Sequence, residues 1–191
     1  MRALKFDETE MAYLSAEQIP PLLAELDSNS KAAGLIARIC LSTGARWSEA
    51  EGLKPHQVRD KRIHFTRTKS SKNRVVPISD SLAKLLKGEL PFPVSYKKFE
   101  KSVDAIGLEL PAGQLTHVLR HTFASHYMMN GGDILTLQRV LGHASLTMTM
   151  KYAHFSPGHL AEVVTLNPLS FDNAAKERSE KLISSAAGGT V

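Results

Sequence analysis

Apolar residues recur along the chain first at helical spacing, then briefly in alternation, then at helical spacing again. Lys31 to Thr43 sets Leu35, Ile36, Ile39 and Cys40 on one stripe, the repeat of an amphipathic helix, and Gly44 is placed to end it in a left-handed cap. Upstream, Ser15 and Gln18 have the spacing of a capping box. Pro20 and Pro21 must kink or restart the helix that follows, since neither carries an amide hydrogen, and the pattern fades by Asn29. A short helix is predicted from about Ser48 to Leu53, stopped before Pro55. The period then changes. Arg62-Ile63-His64-Phe65-Thr66 alternates, and Arg74-Val75-Val76-Pro77-Ile78 is β-branched. The polar Lys69-Ser70-Ser71-Lys72 lies between them, so the stretch reads as two antiparallel strands joined by a basic turn, with Gln57 and Val58 available as a third.

Helical spacing returns after Ser79. Helices are predicted from Ser79 or Asp80 through Leu86, over Ser95 to Ile106, and over Thr116 to Asn130 before Gly131-Gly132. Asp133 caps the next, which Gly142 closes, and two more follow at Leu146 to Tyr152 and Pro157 to Leu166. Asn167-Pro168 is a breaker, beyond which Asn173 to Ser185 has the pattern of a charged terminal helix. The predicted fold class is mainly α with a small antiparallel β-sheet (α+β). Residues 1–14 read as a linker or N-terminal extension, 15–167 as the folded body and 168–191 as a tail.

Composition narrows the classes. At 191 residues, with 42% hydrophobic and 23% charged residues, the chain is long enough for one real core and is neither fibrous nor wholly disordered. No apolar run approaches the ~20 residues of a membrane span, and the start lacks a signal-peptide core, so the expected location is the cytoplasm, with no membrane partner. One cysteine excludes an internal disulfide, and Cys40 reads as a small buried hydrophobe. The net charge is +5, but its distribution says more. Between Lys54 and Val76 stand Lys54, Arg59, Lys61, Arg62, Arg67, Lys69, Lys72 and Arg74 against Asp60 alone. Such a strip is either a solvated face or a set of phosphate contacts, and a nucleic acid is the partner it fits better.

Eight histidines raise the question of a metal, yet none sits in an HExxH pattern and none is paired through a carboxylate at ligand spacing. No metal and no cofactor are expected. His117 and Arg120, three apart on a predicted helix, share a face. A guanidinium fork matches phosphate oxygens, and an imidazole beside it can donate or shuttle a proton. Taken alone the pair is equally a surface pair or a satisfied core histidine. Its company is the block Thr43-Gly44-Ala45-Arg46-Trp47-Ser48-Glu49 upstream, and Leu141-Gly142-His143-Ala144-Ser145 and Met150-Lys151-Tyr152-Ala153-His154 downstream.

The blocks TGARWSE, TKSSKNRVVPIS, THVLRHTFASH and LGHASLTMTMKYAH, in that order, resemble the tyrosine recombinases, and most of all the integrases of temperate bacteriophages. The resemblance covers about residues 14 to 168. It implies the catalytic-domain fold of that family and a catalytic set of Arg46, Lys69, His117, Arg120, His143 and Tyr152, with Tyr152 as nucleophile. Lys72 rivals Lys69 in the same turn. Glu49 matches an acidic position that supports the site, and His121 one tied to packing. Met148 and Met150 read as packing residues. Arg67, Lys72 and Arg74 are further candidate DNA contacts.

The implied reaction is site-specific cleavage and rejoining of double-stranded DNA through a 3′-phosphotyrosine, serving integration and excision. Two arginine forks can neutralise charge gathering on the attacked phosphate. A phenol with a solution pKa near ~10 must lose its proton as it attacks, and a lysine on a turn can protonate the leaving 5′ oxygen. The bond energy is kept in the protein–DNA link, in keeping with the absence of a nucleotide-binding GxxxxGK[ST] loop. Family members usually carry an additional N-terminal DNA-clamping domain, so the chain is expected to be a catalytic-domain fragment or a truncated gene product. A dimer alone, a tetramer on DNA, a tail docked on a neighbouring protomer and a DNA-bending accessory protein are the implied partners. The competing readings are a non-catalytic DNA-binding module, and a chromosome-resolution recombinase or type IB topoisomerase of the same chemistry.

Overall fold

One serine joins the first two helices. In the computed structural model, which describes residues 11–66, 73–115, 117–158 and 162–168, α1 (Ile19–Asn29) ends where the Ser30 amide donates to the Leu26 carbonyl at 2.7 Å. The Ser30 hydroxyl then accepts from the Ala33 amide and opens α2 (Lys31–Thr43). Pro20 and Pro21 fall in the first turn of α1, where amides have no helical partner, so they restart the helix at no cost in hydrogen bonds. The Gln18 side chain reaches back to the Ser15 amide at 2.9 Å, half of the expected capping box.

α2 is the axis of the body. Leu35, Ile36, Ala37, Ile39 and Cys40 are all buried, and the helix packs against α1 and against α6 (Val118–Met129). It stops at Gly44, whose φ of 65° is left-handed. A Cβ there would lie 2.6 Å from both Leu141 Cδ2 and Phe123 Cδ1, so glycine also allows the end of α2 to touch the neighbouring helices. α3 (Trp47–Glu51) follows at once, with Trp47 buried and stacked on Phe99 of α5 (Tyr96–Ala105).

The sheet is β1 (Val58–Arg59), β2 (Arg62–Phe65) and β3 (Arg74–Pro77), antiparallel in that order. Asp60 and Lys61, both at positive φ, make the two-residue turn between β1 and β2. Ile63 pairs with Val76 and Phe65 with Arg74, and these four residues form the inward face. Strand alternation therefore turns Arg74 into the protein, while Val75 faces solvent. Helix α4 (Asp80–Leu86) is capped by the Ser79 hydroxyl, as expected.

Two clusters of apolar side chains result. The larger is built on α2, the sheet and α5, with Leu53 and Val118. The smaller gathers Ala124, Met128, Leu137, Leu141 and Tyr152 from α6, α7 (Ile134–Leu141) and the segment after α8 (Thr147–Met150). Met148 and Met150 are about half exposed and do not pack into it. Residues 11–14 are part of the body and not a linker. Leu14 is fully buried, its amide donates to Thr122 Oγ1, and its carbonyl bonds His126 Nε2.

Residues up to Phe155 form one compact unit and those from Ser156 a second. In the second, α9 (Glu162–Leu166) is closed by Asn167, whose Nδ2 donates to the carbonyls of Val163 and Val164. The expected helix over 173–185 lies outside the described residues. Among the described residues, no helix is long and apolar enough to cross a membrane.

Candidate active site

The site forms where two helices end and a third begins. Arg120 is in the first turn of α6 and is almost wholly buried. Its Nη1 donates to the Gly44 carbonyl and its Nη2 to the Leu141 carbonyl, both at 2.8 Å. These carbonyls sit at the C-termini of α2 and α7, which carry the negative ends of the helix dipoles. One cation thus clasps two glycine-capped helix ends. Burial and the neighbouring Arg46 lower the Arg120 guanidinium to about 10, well above neutral pH.

The same two chain reversals deliver the next residues. After Gly44 the chain enters α3 with Arg46 at its N-cap, where the Glu49 carboxylate accepts from the Arg46 amide at 2.8 Å. Arg46 Nη1 is buried with no hydrogen-bond partner among the described residues, its nearest acidic oxygen being Glu49 Oε1 at 3.6 Å. A buried N–H of a permanent cation without an acceptor is costly and suits a site that receives an anion. After Gly142, at φ 68°, the His143 amide closes α7 onto the Gln138 carbonyl.

Glu49 organises this corner. Its two carboxylate oxygens take Nη1 and Nη2 of Arg74 at 3.0 and 2.9 Å, and the Arg74 guanidinium lies 4.4 Å over the Phe65 ring. Burial alone would raise the Glu49 carboxyl; the hydrogen bonds and charge of Arg74, with the Arg46 amide, bring it down to about 2. Arg74 is thus withdrawn as a candidate DNA contact: strand alternation buries it, and its fork is engaged by Glu49. Arg67, Lys69 and Lys72 lie outside the described residues.

Three histidines flank the arginines. His117 is exposed at the N-cap of α6, and burial together with Arg46 and Arg120 lowers it. His143 is buried and lowered to about 4, by burial first and then by Arg120 and Lys151, so it is neutral at pH 7. Its Nδ1 lies 2.8 Å from Thr149 Oγ1, itself fully buried. The hydroxyl has no other hydrogen-bond partner among the described residues, so it donates to Nδ1. That leaves the proton of the neutral ring on Nε2, as a free donor among the described residues. Replacing Thr149 by the near-isosteric Val should release this choice. ¹⁵N NMR of the imidazoles is expected to show one tautomer of His143 in the parent chain and a mixture in Thr149→Val, at a cost of about 1 kcal/mol in stability. A single unchanged tautomer in the variant would refute the assignment.

Tyr152 is 1% exposed, and burial pushes its phenol up to about 12 against the opposing charge of Arg120. Its hydroxyl is 2.7 Å from His121 Nδ1, and Lys151 Nζ lies 5.1 Å from the centre of its ring. His121, expected as a packing residue, instead touches the phenol oxygen. Its partner is distant in sequence, and the only signal was its place next to Arg120. Arg46, His117, Arg120, His143 and Tyr152 thus come to one corner, built by the end of α2, the start of α6, the end of α7 and the segment after α8. Among the described residues, no group of three or more His, Cys, Asp or Glu could hold a metal ion.

Comparison with known proteins places the family. The sequence model of the phage integrase family matches residues 12–91 and 92–159. The chain is 56% identical over 174 residues to the integrase of Haemophilus phage HP1, covering 89% of this chain and 51% of that protein. It thus spans about half the length of that relative. Among solved structures, the catalytic domain of bacteriophage HP1 integrase matches with a TM-score of 0.81, over 84% of this chain and 98% of that one. XerH site-specific recombinase bound to its difH substrate, in a pre-cleavage complex, is 26% identical with a TM-score of 0.61, over 81% of this chain and 53% of that one. With the family's sequence model matched over most of its length, and with its helical body and three-stranded sheet, the chain belongs to the phage integrase family.

Proposed function

We propose that this chain is the strand-cutting and strand-joining domain of a site-specific DNA recombinase of the integrase kind. One observation carries the reading. The buried Tyr152 phenol lies within the electrostatic reach of the Arg120 clasp, while a second arginine presents a buried N–H with no acceptor among the described residues. A phosphodiester would supply that acceptor, and the phenol oxygen would then face its phosphorus.

In this reading Arg46 and Arg120 hold the non-bridging oxygens and stabilise the charge that grows on them. His143, neutral with its proton on Nε2, adds a hydrogen bond, and His117 at the rim another. Lys69, whose sequence position falls between β2 and β3, protonates the 5′ oxygen as it leaves. The product is a 3′-phosphotyrosine at Tyr152 and a free 5′-hydroxyl, which a second strand can attack in turn. Double-stranded DNA is the substrate, and its basic contacts include Arg67 and Lys72. Self-association, as a dimer alone and a tetramer on DNA, a tail over 168–191 docking on a neighbouring protomer, an accessory bending protein and work in the cytoplasm complete the proposal. The names of the relatives support it, since they are integrases and a recombinase crystallised on its DNA site.

The test is a covalent trap. Duplexes of randomised sequence, each nicked so that the cut end diffuses away, are incubated with the chain and then denatured. Adducts should survive denaturant, enrich one sequence, and map by peptide mass to a nucleotide on Tyr152. Sequence-selective binding with no adduct would support a binding module and end the recombinase reading.

A further inference from the structure

The phenol has to lose a proton to attack phosphorus, and the fold shows where it can go. Tyr152 is 1% exposed, which denies bulk water the role of acceptor. Among the described residues, His121 Nδ1, at 2.7 Å, is the hydrogen-bond partner of the Tyr152 hydroxyl. Lys151, 5.1 Å from the ring centre, is a cation and has no lone pair to offer. The His117 ring centre is 5.9 Å from that of His121, one turn back on the same helix and farther along the chain of rings from the tyrosine.

We propose that His121, through Nδ1, is the base that takes the Tyr152 proton during strand cleavage and returns it on rejoining. The proposal rests on the recombinase reading above and adds a catalytic residue to it. In cleavage the Oη–H bond breaks and its proton passes to Nδ1 as the Oη–P bond forms. The P–O5′ bond breaks with its electron pair on the 5′ oxygen, which takes a proton from a separate cationic acid, Lys69 in the reading above. Rejoining runs the same steps backwards, and the imidazolium of His121 protonates the departing phenolate.

The electrostatics make the transfer conditional on substrate. In the unliganded site the phenol lies at about 12 and the His121 imidazole at about 3, lowered by burial and then by Lys151, His117 and Arg120. The proton therefore rests on oxygen. A phosphate anion between Arg46 and Arg120 offsets the cationic field that suppresses His121, and bonding of Oη to phosphorus acidifies the phenol. Both changes favour transfer, and both need DNA in place. The neutral phenol donating to Nδ1 also fixes the resting tautomer of His121, with its own proton on Nε2.

Two measurements test this. Without DNA, ¹⁵N NMR of the imidazoles should show one Nδ1 resonance, assigned by its loss in His121→Asn, that moves when Tyr152 is replaced by Phe. No movement would mean that the contact does not exist in solution, and the proposal falls. With the nicked duplex recovered from the randomised pool, single-turnover adduct formation should slow by about 10² to 10⁴ in His121→Ala. Free imidazole should restore part of the rate. His121→Asn, which keeps an acceptor near the place of Nδ1 but cannot hold the proton, should stay slow. Near-normal rates in Asn would show that accepting the hydrogen bond suffices. A faster rate in Ala would make His121 a latch on the tyrosine, and either result overturns the proposal. Failure of the parent chain itself to form any adduct, with the NMR shift present, would instead sink the recombinase reading and this step with it.

Discussion

Tyr152→Phe is expected to form no covalent adduct with the recovered nicked duplex, while it folds and binds that DNA as the parent chain does. The substitution removes one oxygen. The ring stays packed among Ala124, Met128, Leu137 and Leu141, and Arg46, Arg120 and Glu49 keep their partners. What is lost in the resting protein is one hydrogen bond to His121, worth about 1 kcal/mol net. For a domain of this size that is roughly 3 °C in Tm. The catalytic effect is of another order, because in the proposed mechanism the Tyr152 oxygen is the atom that bonds phosphorus. Gel mobility shift, thermal melting and the denaturing trap read the three quantities separately. Adducts from Tyr152→Phe at the parent yield would move the nucleophile elsewhere, to Tyr13, Tyr96 or Tyr127.

The second large effect concerns stability and acid. Glu49 lies at about 2 in the folded protein against an ordinary 4.5, so its contribution is complete above pH 4.5 and fades as the pH falls toward 2. The shift corresponds to something on the order of 3 kcal/mol, for a carboxylate with both oxygens on Arg74. Glu49→Gln leaves the Arg74 charge buried without its counterion and should cost about 3–5 kcal/mol at pH 7. It should also flatten the part of the acid melting curve between pH 5 and 2 that Glu49 supplies. Glu49→Leu combined with Arg74→Met removes both charges and should recover much of the melting temperature. The double variant should still be slow in the trap, because the Glu49 carboxylate that accepts from the Arg46 amide and lies beside its side chain is gone. Equal melting of the parent and Glu49→Gln across this range would show that the pair adds no stability.

Much of the fold was legible because it is written in local rules. The stripe of α2, the caps at Ser79 and Asp133, and the left-handed glycines 44 and 142 all act within a few residues. Strand alternation is legible too, and it sets Arg74 apart from its basic neighbours. Pairing Arg74 with Phe65 puts it on the side of Ile63 and Val76, and a buried arginine then needs an acid such as Glu49. Residues 11–14 carry no periodic pattern, and the buried Leu14 is tied by its backbone to Thr122 and His126, more than a hundred positions away. The convergence of Arg46, Arg120 and Tyr152 was readable only through family resemblance. Spacing along a chain does not state which helix ends meet. The contact of His121 with the phenol was out of reach for the same reason.

The clasp of Arg120 on the Gly44 and Leu141 carbonyls ties chemistry to architecture. The side chain that the proposed mechanism puts on the phosphate is also the rivet between two helix tips. With both terminal nitrogens fixed on those carbonyls, the guanidinium is held in one orientation, so in the proposed reaction little reorganisation would be left for it to do. The same economy makes the position intolerant: a shorter or neutral replacement would let the corner drift apart, and the loss would register as loosened scaffolding before it registered as slow catalysis.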